Sequence, residues 1–114
     1  NRTCLVRTVA GRIEWRLPDA SCNVYAALAA TLAAGLAGID SALPAPTPCD
    51  EDLYLRHAHG EPMPPRLPAD LGAALDALQA DAALREAVGE NFCEQFLQIK
   101  RTEWEAGKST ASMG

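Results

Sequence analysis

Arg7, Arg12, Glu14 and Arg16 are the residues near the start of this chain whose types and spacing can do chemistry together. Residues 4–9 and 12–17 are rich in β-branched, apolar and aromatic side chains, and Ala10-Gly11 separates them. Two such runs around a two-residue, glycine-containing break predict a β-hairpin. With Val9 opposite Arg12, Arg7 lies opposite Glu14 and Leu5 opposite Arg16. Side chains alternate along a strand, so Arg7, Arg12, Glu14 and Arg16 share one face. Cys4, Val6, Thr8, Ile13, Trp15 and Leu17 share the other, which is free to join a core. Three guanidinium groups then surround a single carboxylate. The plain alternative is a solvated strand face with a cross-strand ion pair worth less than about 1 kcal/mol.

The charge balance favours a local anion site. Residues 1–17 carry four Arg and one Glu, net +3, whereas the rest carry six Lys or Arg against fourteen Asp or Glu, net −8. A basic ribbon on an acidic chain argues against general nucleic-acid binding. The 114 residues suffice for one small domain. The first residue is Asn, so a processed chain or a piece of something longer is expected, and no signal-peptide pattern is visible. Cys4, Cys22, Cys49 and Cys93 show no CxxC spacing. Free or buried thiols of a cytoplasmic protein are expected, not a disulfide framework.

The elements behind the ribbon follow from pattern. Asn23 is a candidate N-cap for an Ala-rich helix over 24–39, with Leu28, Leu32, Leu36 and Ile39 recurring at helical spacing. At about 1.5 Å per residue it is too short for a bilayer of roughly 30 Å. A helix apolar all round has to be surrounded by protein, and the rest of this chain is too small to do that and close its own core. Burial inside a larger structure is therefore expected. Residues 41–68 hold all prolines but one and predict an irregular connector, anchored by Leu53-Tyr54-Leu55. The run Asp50-Glu51-Asp52 reads as a solvated turn, and His57 and His59 have no partner at a zinc spacing. Helices are expected over 70–79, after a cap at Asp81 and ending at Gly89, and over 90–104. Phe92, Phe96 and Ile99 form one stripe of the last helix. Lys100 and Arg101 near its expected end suit its dipole. Residues 106–114 read as a flexible tail.

Taken together, Asn1-Arg2-Thr3 with Arg7, RIEWRLPD (12–19), CNVYAALAATLAAGLAGI (22–39), CDEDLY (49–54), LPADLGAALDALQAD (67–81) and the turn at 98–101 resemble the C-terminal part of the catalytic domain of glutamine synthetases. The resemblance spans residues 1–105. The combination of N-R-[ST] with R-[IV]-E-x-R-x-P-D at short separation is its most specific part. The wording LVRTVAGRIEWRLPD resembles most the branch often called type III, which includes ligases joining glutamate to ammonia or to methylamine. Bacterial relatives of the best-known type have a longer connector before the position of Glu14, with an additional nucleotide-binding lysine. Here the connector is short, which leaves Arg12 as the cation available to compensate. Val24 stands where the family has the proline of N-P-Y. Tyr54 aligns with a tyrosine adenylylated in some members, but it is read here as a loop anchor.

The resemblance implies an α+β piece: an N-terminal β-hairpin from a larger sheet, then a buried helix and a helical C-terminal subdomain. It implies an ATP-dependent ligase that forms glutamine from glutamate and ammonia through γ-glutamyl phosphate, with this chain inactive alone. The alternatives are a γ-glutamylmethylamide or other γ-glutamyl-amine synthetase, and a non-catalytic assembly module. Arg2 and Arg7 would contact ATP phosphates, Arg2 and Arg16 the glutamate, and Glu14 a Mg²⁺ or Mn²⁺ ion. Implied partners are the remainder of the catalytic domain, an N-terminal domain and further copies in a homo-oligomeric ring, with no nucleic acid and no membrane.

Overall fold

The computed structural model describes residues 3–113, and side chains as far as 109. Arg2 lies outside the described residues. Strands β1 (Val6–Val9) and β2 (Arg12–Trp15) form a two-stranded antiparallel ribbon, followed by helices α1 (Val24–Asp40), α2 (Leu53–Ala58), α3 (Leu71–Ala80), α4 (Ala82–Val88) and α5 (Glu90–Met113). The α+β reading therefore holds, with a hairpin first and helices after it. Gly11 supplies φ +78° at the ribbon turn, a conformation that a side chain disfavours.

Short polar side chains start the helices where the sequence places them. Asn23 Oδ1 accepts the Ala26 N–H at 3.1 Å, Asp70 accepts Ala73 at 2.8 Å and Asp81 accepts Leu84 at 3.0 Å. Each bond satisfies a donor that the first helical turn leaves unpaired. Inside the expected irregular connector, Asp52 caps one further short helix, α2, by accepting the Tyr54 N–H at 2.9 Å. The acidic run there is structural, not merely solvated, since Glu51 also pairs with Arg56 at 3.4 Å. The Tyr54 ring is 78% exposed, so it anchors nothing within the chain; of the 53–55 patch only Leu53 is partly covered.

Helices α3, α4 and α5 pack on one another around Leu75 and Cys93, which are the buried hydrophobic side chains among the described residues. Arg101 of α5 donates to Asp76 at 2.7 Å and to Gln79 at 2.9 Å on α3, so it ties two helices together and does not serve a helix end. Its expected place near a terminus is corrected by the length of α5, which runs on through the presumed tail to Met113. No proline falls in 105–113, Ala106 and Lys108 on either side of Gly107 are good formers, and Lys108 lies 3.8 Å from Glu105 one turn earlier.

The rest of the chain does not surround helix α1, in line with the expectation that it is too small to do so. The helix forms as expected and touches α4, yet none of its residues is buried by this chain. Tyr25, Leu32 and Ile39 are 87%, 65% and 76% exposed. The chain presents 9044 Å² of surface, against roughly 6000 Å² for a compact monomer of its mass. Its radius of gyration is 16.6 Å, where about 13 Å is usual for this length. The apolar helix therefore lies on the outside of the chain.

Three outcomes follow from the helical part of the chain. A Cβ at Gly72 would lie 2.6 Å from Trp104 Nε1, whereas one at Gly107 meets nothing within 4 Å. Gly72→Ala is expected to cost about 1–3 kcal/mol through overpacking. Gly107→Ala is expected to add about 0.5–1 kcal/mol through helix propensity. Urea unfolding checks both. Burial pushes the Cys93 thiol above its ordinary pKa of 9.0, with Glu90 adding to the rise. The unfolded chain then ionises first, so the Cys93 contribution to stability is complete below pH 9.0 and declines as pH rises past it. Cys93→Ala is expected to flatten that alkaline loss in the same unfolding measurement.

Candidate functional site

The ribbon pairs Val6 with Trp15, Arg7 with Glu14, Thr8 with Ile13 and Val9 with Arg12, which is the register expected from the turn. The Arg16 N–H donates to Leu5 O at 2.8 Å and extends the same pairing by one step. Arg7 Nη1 donates to Glu14 Oε2 at 3.3 Å, and Arg12 Nη2 lies 3.5 Å from Glu14 Oε1. Each oxygen of the lone carboxylate thus faces its own guanidinium. Alternation puts Arg16 on this same face, two residues beyond Glu14.

Arg7, Val9 and Glu14 are the more covered residues of the two strands. On the opposite face Val6, Ile13, Trp15 and Leu17 remain 39–63% exposed, so the side expected to enter a core is not covered within this chain. An apolar side at least as open as the ion pair is the reverse of what a free hairpin favours.

The motif around Thr3 is held by contacts that sequence periodicity did not reveal. Thr3 Oγ1 accepts the Leu53 N–H at 3.2 Å, next to the Tyr54 N–H already taken by Asp52. Cys4 Sγ lies 3.8 Å from Cys49 O. Both contacts span more than forty residues and carry no local pattern. The one signal was that both segments belong to the set of family motifs. Two shallow hollows, one bordered by Arg85 and Glu90, the other by Arg56 and Glu61, contain no ribbon residue.

Three fork-shaped cations on one face fit phosphate or carboxylate oxygens, which guanidinium binds in a bidentate way. Glu14 fits a hard divalent ion as one oxygen ligand. Among the described residues no group of three or more His, Cys, Asp or Glu converges, so the ribbon offers one ligand and not a complete metal site. No helix among the described residues is long and apolar enough to cross a membrane.

A family model described as the glutamine synthetase catalytic domain matches residues 1–113. The chain belongs to that family. It is 41% identical over 122 residues to the glutamine synthetase of Halobacterium salinarum, with 98% of the chain and 26% of that protein covered. It is 41% identical over 109 residues to the glutamate–methylamine ligase of Methyloversatilis universalis, with 91% of the chain and 24% of that protein covered. A solved structure described as "Apo GmaS without ligand" superposes with a TM-score of 0.85 at 41% identity, over 96% of the chain and 25% of that structure's chain. The chain thus spans about a quarter of the length of the relatives it matches.

An ion pair as open as Arg7–Glu14 contributes less than about 1 kcal/mol. Glu14→Gln is therefore expected to shift the unfolding midpoint only slightly. A loss of several kcal/mol in denaturant unfolding would mean that the cluster exists for stability and not for a ligand.

Proposed function

We propose that this chain forms the C-terminal part of the catalytic domain of an ATP-dependent ligase that joins glutamate to ammonia. The observation that carries the reading is the register that sets Glu14 between Arg7 and Arg12, in a chain whose family is that of the glutamine synthetase catalytic domain. In the reaction a γ-carboxylate oxygen of glutamate attacks the γ-phosphorus of ATP, the bond to ADP breaks, and an acyl phosphate forms. Ammonia then attacks the acyl carbon, phosphate leaves, and the nitrogen gives up a proton.

Negative charge spreads over several oxygens in the first step, so preorganised cations matter more than a protein nucleophile. Arg7 would hold ATP phosphates, Arg16 the glutamate carboxylate, and Arg2 both. Arg12 stands in the short connector beside Glu14 and would add a further positive charge at the phosphates. Glu14 would hold Mg²⁺ or Mn²⁺, which supplies charge neutralisation at the phosphate oxygens when bound. Release of Glu14 from its two arginines and their transfer to phosphate are one exchange of partners, since the same forks bind either oxyanion.

The remaining metal ligands, and cover for the apolar side of the ribbon and for α1, would come from the rest of the catalytic domain, the N-terminal domain and neighbouring subunits of a ring. The exposed hydrocarbon of α1 supports that reading, and alone the chain would not turn over substrate. A cytoplasmic location agrees with ATP as substrate and with free thiols.

A small amine in place of ammonia is the second reading, favoured by the match to the glutamate–methylamine ligase. Steady-state assays of the full-length protein with ammonia and with methylamine separate the two, and ammonia is the expected acceptor. In that protein Glu14→Ala is expected to lower metal-dependent ATP turnover at least about 100-fold with its melting temperature nearly unchanged. Arg16→Lys is expected to raise the KM for glutamate more than that for ATP. Wild-type turnover in the Glu14 variant would remove its assigned role.

A further inference from the structure

We propose that Cys4 and Cys49 form an oxidisable pair that closes to a reversible disulfide and staples the start of the arginine ribbon to the N-terminus of α2. Cys4 Sγ sits 3.8 Å from the backbone carbonyl of Cys49, and Cys49 Sγ in turn lies 3.9 Å from Glu51 O. The Thr3–Leu53 bond holds the two segments in place beside them. Burial pushes the Cys4 thiol up first, and the neighbouring Cys49 adds to the rise. Both residues are partly exposed in this chain.

The other two cysteines lack this arrangement. Cys93 is buried in the helical core with its thiol on Arg85 O at 3.9 Å. Cys22 lies in the turn before α1 and makes no contact with Cys4 among those that raise its pKa.

The co-reactant is a small-molecule disulfide such as oxidised glutathione. The Cys49 thiolate attacks one of its sulfurs, a mixed disulfide with Cys49 forms as the S–S bond of the small molecule breaks, and its other half leaves as a thiolate that takes up a proton. Cys4, giving up its proton, then attacks the Cys49 sulfur and expels the second thiol. Two protein thiols are oxidised and one small disulfide is reduced to two thiols. The pair does not depend on any catalytic role for the ribbon. Its effect would be to fix the strand bearing Arg7 against the connector.

The test is incubation of the reduced full-length protein with oxidised glutathione, alkylation, and tryptic digestion without reduction, read by mass spectrometry. Cleavage at arginine places Cys4 in the peptide 3–7, and both Cys22 and Cys49 in the peptide 17–56. The expected result is a cross-linked pair of these peptides that dithiothreitol dissolves. It should persist in Cys22→Ser and vanish in Cys4→Ser and Cys49→Ser. Stable glutathione adducts on Cys4 or Cys49 without the cross-link, a link that requires Cys22 or Cys93, or no link at all would each overturn the proposal.

Discussion

The antiparallel register around Ala10-Gly11 is the constraint on which the candidate site depends. Because every pairing from Leu5–Arg16 to Val9–Arg12 follows from one turn, a slip of a single residue would send Arg7 and Glu14 to opposite faces. The turn thus does chemical work at a distance: it assembles a carboxylate and its guanidinium partners from residues that no helix or cavity of this chain brings together. Thr3 and Cys4 add a second constraint, since their contacts to Leu53 and Cys49 fix where the ribbon begins.

The distribution of hydrocarbon explains why so well-specified a ribbon sits on so open a molecule. Helices α3 to α5 form a small core of their own around Leu75 and Cys93, with Arg101 bridging to Asp76 and Gln79. Helix α1 and the Val6, Ile13 and Trp15 side of the ribbon contribute apolar surface that this chain leaves uncovered. Water is a poor neighbour for that much hydrocarbon. The two kinds of surface divide the chain into a part that packs on itself and a part whose hydrocarbon it leaves open.

Much of this was legible in the residues. Alternation and a glycine break gave the hairpin and its pairing, and Asn23, Asp81 and Gly89 marked helix ends where caps are observed. The composition of α1 already indicated that this chain could not surround it, and its large apolar side chains are exposed. What local pattern could not show was tertiary in origin. Arg101 looked like a helix-end charge because the run of small and polar residues after 105 hid the last turns of α5. Helix α2 depends on one Asp cap and on Thr3 from across the fold, so its six residues gave no periodicity to read. Arg2, the arginine of the most specific motif, is outside the described residues, so the roles assigned to it rest on family membership.

The central claim is that Glu14 exchanges its two arginines for a divalent ion while those arginines turn to phosphate. Anomalous diffraction from crystals of the full-length protein with Mn²⁺ and ADP tests it directly. The account predicts a manganese peak bonded to the Glu14 carboxylate, with Arg7 on a phosphate oxygen. Manganese bound elsewhere, with Glu14 still paired to Arg7 and Arg12, would contradict it.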